Sequence, residues 1–304
     1  ASRLPLKQLE AALVGTGAEK RNAVETQLVD VLRNPTATVA AKDVACRLLR
    51  RIGTDLSTPT LVGFLSDDRL AHMARYALAR PGDEGAISAL RDAIPSLEGA
   101  ALAGTVRSLG ELEDAQSLPA LDALLHASNP MVSQAASEAV GQIGGPDAVE
   151  ALRRRLTDAP DGQRPALIDA LFTCAEGFLA TGDKEDALAI YRPMYAPEQP
   201  PLLRFAALDG IVRTQQSQAV PLLLELLSSP EPDVQSAAAQ YVRELESPGV
   251  TKAFSGRLPE LASTAKMALI EALGARGDTD ARPAILAALG DEAPDVRAAA
   301  VGAL

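Results

Sequence analysis

The sequence predicts an all-α chain of stacked helix pairs, a solenoid, and three observations carry that prediction. The first is composition. Of 304 residues 47% are hydrophobic, only 3% are aromatic and none is Trp. Ala and Leu together make up about a third of the chain, a helix-forming excess. A β-sandwich or barrel would draw instead on Val, Ile, Thr and ring side chains. The second is a fixed period. Steps of 31 residues back from Val296 land on Ala265, Val234 and Leu203, and the same step back from Val132 lands on Ala101 and Leu70. The third is punctuation: Asn129 with Pro130, Pro230 with Pro232, and Glu292 with Pro294 separate one apolar run from the next.

Each anchor opens an amphipathic stripe. Val132 is followed by Ala136, Ala139 and Val140, Ala265 by Leu269, Ala272 and Leu273, and Val296 by Ala300, Ala303 and Leu304. Offsets of 4, 7 and 8 fall on one face of a 3.6-residue helix. These are the second helices of pairs, and about eight or nine pairs fit the length.

In chain order, residues 7–14 read as a lone helix, followed by a pair over 19–33 and 37–52 and by regular repeats to residue 158. First helices are expected over 117–125, 147–156, 218–227 and 280–289. Pro119, Pro221 and Pro283 each lie 13 residues before their anchor, where a proline inside a continuous first helix would kink it. Gly53, Gly144 and Gly274 are expected to close second helices in the left-handed conformation. From 159 to 199 the rhythm lengthens into an irregular pair, with helices over 163–180 and 184–195, before regular repeats resume over 200–304. The whole chain, 1–304, is therefore one solenoid. Its last stripe ends bare at Leu304, so repeats are expected to continue beyond it, because solenoids close with a polar cap.

These features resemble HEAT repeats in their short bacterial form. The likeness rests on the first-helix prolines and on Asp295, Val296 and Arg297 opening a second helix, with Asp233, Lys266 and Arg204 at matching places. It implies a right-handed α–α superhelix of the HEAT and armadillo kind. In that family the Asp and Arg side chains stitch neighbouring repeats. Here the pair is complete once, so most joints are expected to rely on apolar packing. The irregular stretch, with Cys174, Gly177, Phe178, Gly182 and Asp183 followed by Ala187, Leu188 and Tyr191, is similar to half a tetratricopeptide repeat.

Charge narrows the partners. Lys and Arg total 29 against 40 Asp and Glu, a net charge of −11, which argues against nucleic acid, whose binding rests on dense cationic contacts. No apolar run reaches the ~20 residues of a bilayer-spanning helix, so no membrane insertion is expected. Cys46 and Cys174 are too far apart in a solenoid to pair and read as buried core residues.

The sequence carries no recognisable catalytic or metal-binding constellation. Asp67, Asp114, Asp147, Asp183, Asp233, Asp278 and Asp295 fall at expected helix starts, where carboxylates cap backbone N–H groups. His72 and His126 share no spacing with a carboxylate that would hold a metal, and no phosphate-binding or nucleophile motif occurs. The basic runs at Arg50–Arg51 and Arg153–Arg155 read as solvated helix ends.

The expected function is therefore a non-enzymatic interaction scaffold, with no cofactor and no metal. Its second helices would present a concave surface to a partner protein or to an adjoining domain of the same polypeptide. Offsets 2, 5 and 6 from each anchor point away from the first helices, and that row carries His72, Arg75, Tyr76, Arg107, Phe172, Phe205, Met267, Ile270 and Glu271. Rings and Arg dominate interface energetics, so Arg75, Tyr76, Arg107, Phe172, Arg204 and Phe205 are the expected partner-binding residues. Five of the nine aromatics lie between 161 and 205, which makes the irregular segment a second expected docking place. The resemblance also implies a periplasmic or exported location and two alternatives: a scaffold module of a larger exported bacterial sugar-processing enzyme, and a HEAT-type lyase or DNA glycosylase.

Overall fold

The computed structural model describes residues 17–80, 82–245 and 249–304. The helix expected over 7–14 lies outside them. Among the described residues the regular structure is entirely helical, and two compact units meet after Gly182.

The first unit carries α1 (Ala18–Arg33), α2 (Val39–Ile52), α3 (Thr58–Val62), α4 (Ala71–Leu78) and α5 (Glu84–Ala93). It continues with α6 (Gly99–Glu111), α7 (Leu118–Leu124), α8 (Pro130–Ile143), α9 (Gly145–Asp158) and α10 (Arg164–Thr181). Second helices α2, α4, α6, α8 and α10 pack in succession, and the first helices lie along one side of that row. The second unit carries α11 (Lys184–Met194), α12 (Pro201–Gln215), α13 (Val220–Leu227), α14 (Pro232–Glu244), α15 (Val250–Arg257), α16 (Ser263–Arg276), α17 (Arg282–Ala288) and α18 (Pro294–Gly302). There α14, α16 and α18 form the corresponding row.

The 31-residue stripe is the core. Val132, Ala136, Ala139 and Val140 are all buried, as are Ala265, Leu269, Ala272 and Leu273. Small residues on this stripe let neighbouring helices approach closely, while Leu61, Leu90, Leu121 and Leu152 are the buried side chains that the first helices contribute. Each such leucine removed from water stabilises by roughly 1.5–3 kcal/mol.

Three expectations about local structure change. Pro119, Pro221 and Pro283 do not kink a continuous helix. Each occupies the first turn of its short α-helix, after a separate 3₁₀ turn at Ala115–Ser117, Gln216–Ala219 or Thr279–Ala281. The amide that proline lacks is one the first turn leaves unbonded anyway. Of the three closing glycines only Gly144 has positive φ, at 66°, whereas Gly53 is extended and Gly274 lies inside α16. Gly277, at φ 66°, ends α16 instead.

The third change concerns the charged residues. Asp278 caps as expected, accepting from the Asp280 amide, whereas Asp67 accepts from the Arg69 and Leu70 amides in the turn ahead of α4 and does not cap the helix itself. Asp114 does something else. It takes the Arg91 guanidinium in a two-pronged pair (2.8 and 2.9 Å) and accepts from the Ser117 hydroxyl. Burial works against its charge, but the Arg91 and Ser117 hydrogen bonds outweigh that and hold the carboxyl below its ordinary range.

Similar ties recur across the joints. Glu25, buried in α1, accepts from the Thr54 and Ser57 amides, and Arg154 meets Asp122 at 2.7 Å. Arg276 donates to the Val242 and Leu245 carbonyls at the end of α14, and Lys266 meets Asp291 at 2.7 Å. Arg155, expected in a solvated face, is buried and donates to the Leu125 carbonyl, Asp158 and Gln163. The joints are thus both apolar and polar, with arginines satisfying the carbonyls that neighbouring helix ends leave unbonded.

Candidate functional site

The sequence of α4 explains why a cleft opens beside it. This helix has only eight residues, and two arginines hold its C-terminal end. Arg80 folds back, donating to the Ala77 carbonyl (3.2 Å), the Asp83 carboxylate (2.8 Å) and the Thr58 hydroxyl (3.3 Å). Arg50, from the end of α2, donates through Nη1 to the Tyr76 (2.7 Å) and Ala79 carbonyls, and its guanidinium carbon lies 4.4 Å from the centre of the Tyr76 ring. Cations suit a helix C-terminus, and stacking on the ring adds a cation–π contact. Arg50 is therefore a cross-repeat brace rather than the solvated side chain expected from its basic run.

On α4, residues 72, 75 and 76 lie on one face at helical spacing. Opposite them α6 presents Gly104, Arg107, Ser108 and Glu111. The two helices enclose a groove of about 510 Å³, lined also by Arg50, Ala79 and Leu112. Gly104 decides its shape. A side chain built there would strike the Arg75 guanidinium, so the missing Cβ is what lets that guanidinium lie against α6.

The charges around Arg75 are unbalanced. Its Nη1 is buried with no hydrogen-bond partner. Burial, and then the like charge of Arg107, pull the Arg75 pKa below the ordinary guanidinium value. Arg107 itself is tied by Nε to Glu138 of α8 at 2.8 Å. Tyr76 is 42% exposed and His72 is exposed. The groove thus gathers three guanidinium groups, an imidazole and a phenol against one lining carboxylate, Glu111. That arrangement can hold an anionic or aromatic group.

The structure brings three of the six expected binding residues, Arg75, Tyr76 and Arg107, to one groove. The others do not join them. Phe172 is a half-buried residue of α10 in the first unit. Arg204 and Phe205 are half-buried residues of α12 in the second unit, where Arg204 lies 5.8 Å from the Tyr195 ring centre. Of the same row, Ile270 is fully buried in the core, against the expectation that it points outward. Leu202, at 83% exposed, is far more open than its neighbour Phe205. Sequence reasoning missed Arg50 and Gly104 as groove residues. A glycine in mid-helix was the available signal for Gly104; Arg50 bonds to main-chain carbonyls, which no side-chain pattern marks.

Both cysteines are buried free thiols, as expected. Burial pushes the Cys46 thiol up to about 12 and the Cys174 thiol up to about 11. Among the described residues no three His, Cys, Asp or Glu side chains cluster as metal ligands would, and no helix is long and apolar enough to cross a membrane.

Comparison with known proteins places these features. No curated protein matches the chain in sequence. Similar solved structures include human deoxyhypusine hydroxylase in complex with glycerol, 20% identical over 82% of this chain and 95% of that one, with a TM-score of 0.39. The complex of CpcE and CpcF of phycocyanin lyase from Nostoc sp. PCC7120 is 18% identical over 81% of this chain and 94% of that one, with a TM-score of 0.37. The karyopherin Kap121p bound to Pho4p is 15% identical over all of this chain but 41% of its own length, with a TM-score of 0.48. A model of HEAT repeats matches residues 98–171 and 194–273, and one of the PBS lyase HEAT-like repeat matches residues 265–291. With more than half of its length matched, the chain belongs to the HEAT-repeat family.

Proposed function

We propose that this chain is a non-enzymatic interaction scaffold that holds a partner protein, or an adjoining domain of its own polypeptide, in the groove between α4 and α6. The observation that carries the reading is the Tyr76 ring, exposed on one face and clamped on the other by Arg50. A ring held rigid before binding loses little freedom when a partner covers it, and Tyr and Arg are the side chains that most often dominate interfaces. The supports are local: α4 is braced at its end by Arg50 and Arg80, so the groove walls are set by the fold rather than by the ligand. HEAT solenoids commonly serve as binding surfaces, which agrees with this reading.

The test uses a partner identified by affinity capture and then purified. Tyr76→Ala should weaken its binding at least tenfold, about 1.4 kcal/mol, while leaving the melting curve unchanged. An unaltered affinity would place the docking surface elsewhere. Turnover of a small-molecule substrate by the purified chain would overturn the non-enzymatic part.

A further inference from the structure

We infer that the floor of the α4–α6 groove is a carboxylate-binding subsite, with Arg75 as its principal donor, and that it receives an acidic segment of a protein partner. The inference rests on the reading of this groove as the docking surface and adds the chemistry of what docks.

Three features of the groove point to a negative charge. Arg75 keeps a buried Nη1 donor without an acceptor, and a buried donor left unbonded is costly enough that native structures rarely keep one idle. None of the other groove groups accepts from it in this structure. Arg50 spends its Nη1 on the Tyr76 and Ala79 carbonyls and is itself a donor. Arg107 offers only donors and further positive charge, and Glu138 is engaged by Arg107. Glu111 lines the groove without forming an ion pair to Arg75. Second, Gly104 lacks the side chain that would push the guanidinium away, so the planar group can lie against α6 in the groove. A guanidinium seated there can bind a carboxylate through two parallel hydrogen bonds.

Third, the local charge opposes the global one. The chain carries a net charge of −11, yet three arginines gather at this groove. At physiological salt charges are screened beyond about 8 Å, so an acidic segment would feel the groove and not the distant excess of carboxylates. A neutral segment could offer carbonyls but no charge to balance the arginines, and a basic one would face repulsion. The aliphatic stem of Arg75 and the Tyr76 ring supply apolar cover beside the charge, as a peptide rather than a free anion requires.

The experiment is fluorescence anisotropy with labelled hexaglutamate, hexaglutamine and hexalysine peptides added to the full chain. Hexaglutamate should bind, and the other two should not. Arg75→Gln should weaken hexaglutamate at least tenfold. Arg282→Gln makes the same charge change at an exposed site in the second unit and should stay within twofold of the parent. Gly104→Ala, which keeps every charge but displaces the Arg75 fork, should also weaken binding several-fold, and it keeps the test open should Arg75→Gln unfold. The subsite is wrong if hexaglutamate fails to bind, if hexaglutamine binds equally, or if Arg282→Gln weakens binding as much as Arg75→Gln. A natural partner that needs Tyr76 but ignores Arg75→Gln would overturn this subsite while leaving the scaffold reading intact.

Discussion

Two successive joints of the first unit show opposite solutions to the same packing problem. Between α6 and α8 the helices meet backbone to backbone: a Cβ added at Gly110 would come within 2.6 Å of the Ala139 Cα. The next joint repeats the device, with Gly141 against Ala170. Between α4 and α6 the place of Gly110 and Gly141 is taken by Ala79, and the glycine at that joint, Gly104 on the following helix, faces a guanidinium instead. The first joints are sealed by small residues, and the other is held open by a charge. The lesson is that one repeat can serve as core or as a binding cleft through the residue that its glycine accommodates.

Gly110→Val should break the sealed joint most severely. The new side chain meets rigid backbone, so overpacking should cost about 3 kcal/mol, read from denaturant midpoints. A loss below 1 kcal/mol would mean the helices can spread and the seal is loose. Next in size is Asp114→Ala, which removes the tie that fixes the end of α6 to Arg91. Its expected cost is about 2 kcal/mol, because Arg91 keeps some access to water. The pH dependence follows from the lowered carboxyl. A folded value below the unfolded one gives stability that is fully present above about pH 4. It is lost as pH falls through the folded value, so the parent should lose more stability than the variant on acidification. Parallel acid curves for the two proteins would contradict the pairing.

Gly104→Ala should do the opposite of Gly110→Val. Its Cβ meets the end of a flexible side chain, which can move aside, and alanine favours a helix by up to about 1 kcal/mol over glycine. Stability should hold or rise while the groove narrows. Destabilisation equal to that of Gly110→Val would erase the distinction between the joints. Smallest of all is thiol labelling. With pKa values raised to about 12 and about 11, Cys46 and Cys174 remain protonated at pH 8, and neither should react with iodoacetamide until the chain unfolds. Selective labelling of Cys46 in the native state would show that α2, beside the open joint, detaches more readily than α10.

The fold was largely legible because a solenoid repeats its signal. The 31-residue stripe located the buried faces, and the helices expected over 163–180 and 184–195 are α10 and α11 within a residue or two. Proline alone could not show whether it kinks a helix or begins one after a 3₁₀ turn, because its fixed φ suits both. The arginine braces were illegible for a different reason. Arg50, Arg155 and Arg276 bond to main-chain carbonyls, which every residue carries, so no side-chain pattern marks the acceptor. At the site, helical register brought out Arg75, Tyr76 and Arg107. It could not show that Arg75 would lack an acceptor, because that depends on Gly104 across the joint. Offset alone also misplaced Ile270, since a first helix and a 3₁₀ turn can cover a face the stripe leaves free.

The most direct test of the account places a photo-crosslinking benzoylphenylalanine at Tyr76, in the open joint, and in a second protein at exposed Gln142, over the sealed one. Each full chain is irradiated with the purified partner, and the crosslinked yield is compared. The account predicts a strong crosslink from position 76, suppressed by excess hexaglutamate, and little from position 142. Equal yields from the two positions, or a stronger one from 142, would contradict the claim that the charged joint is the binding surface.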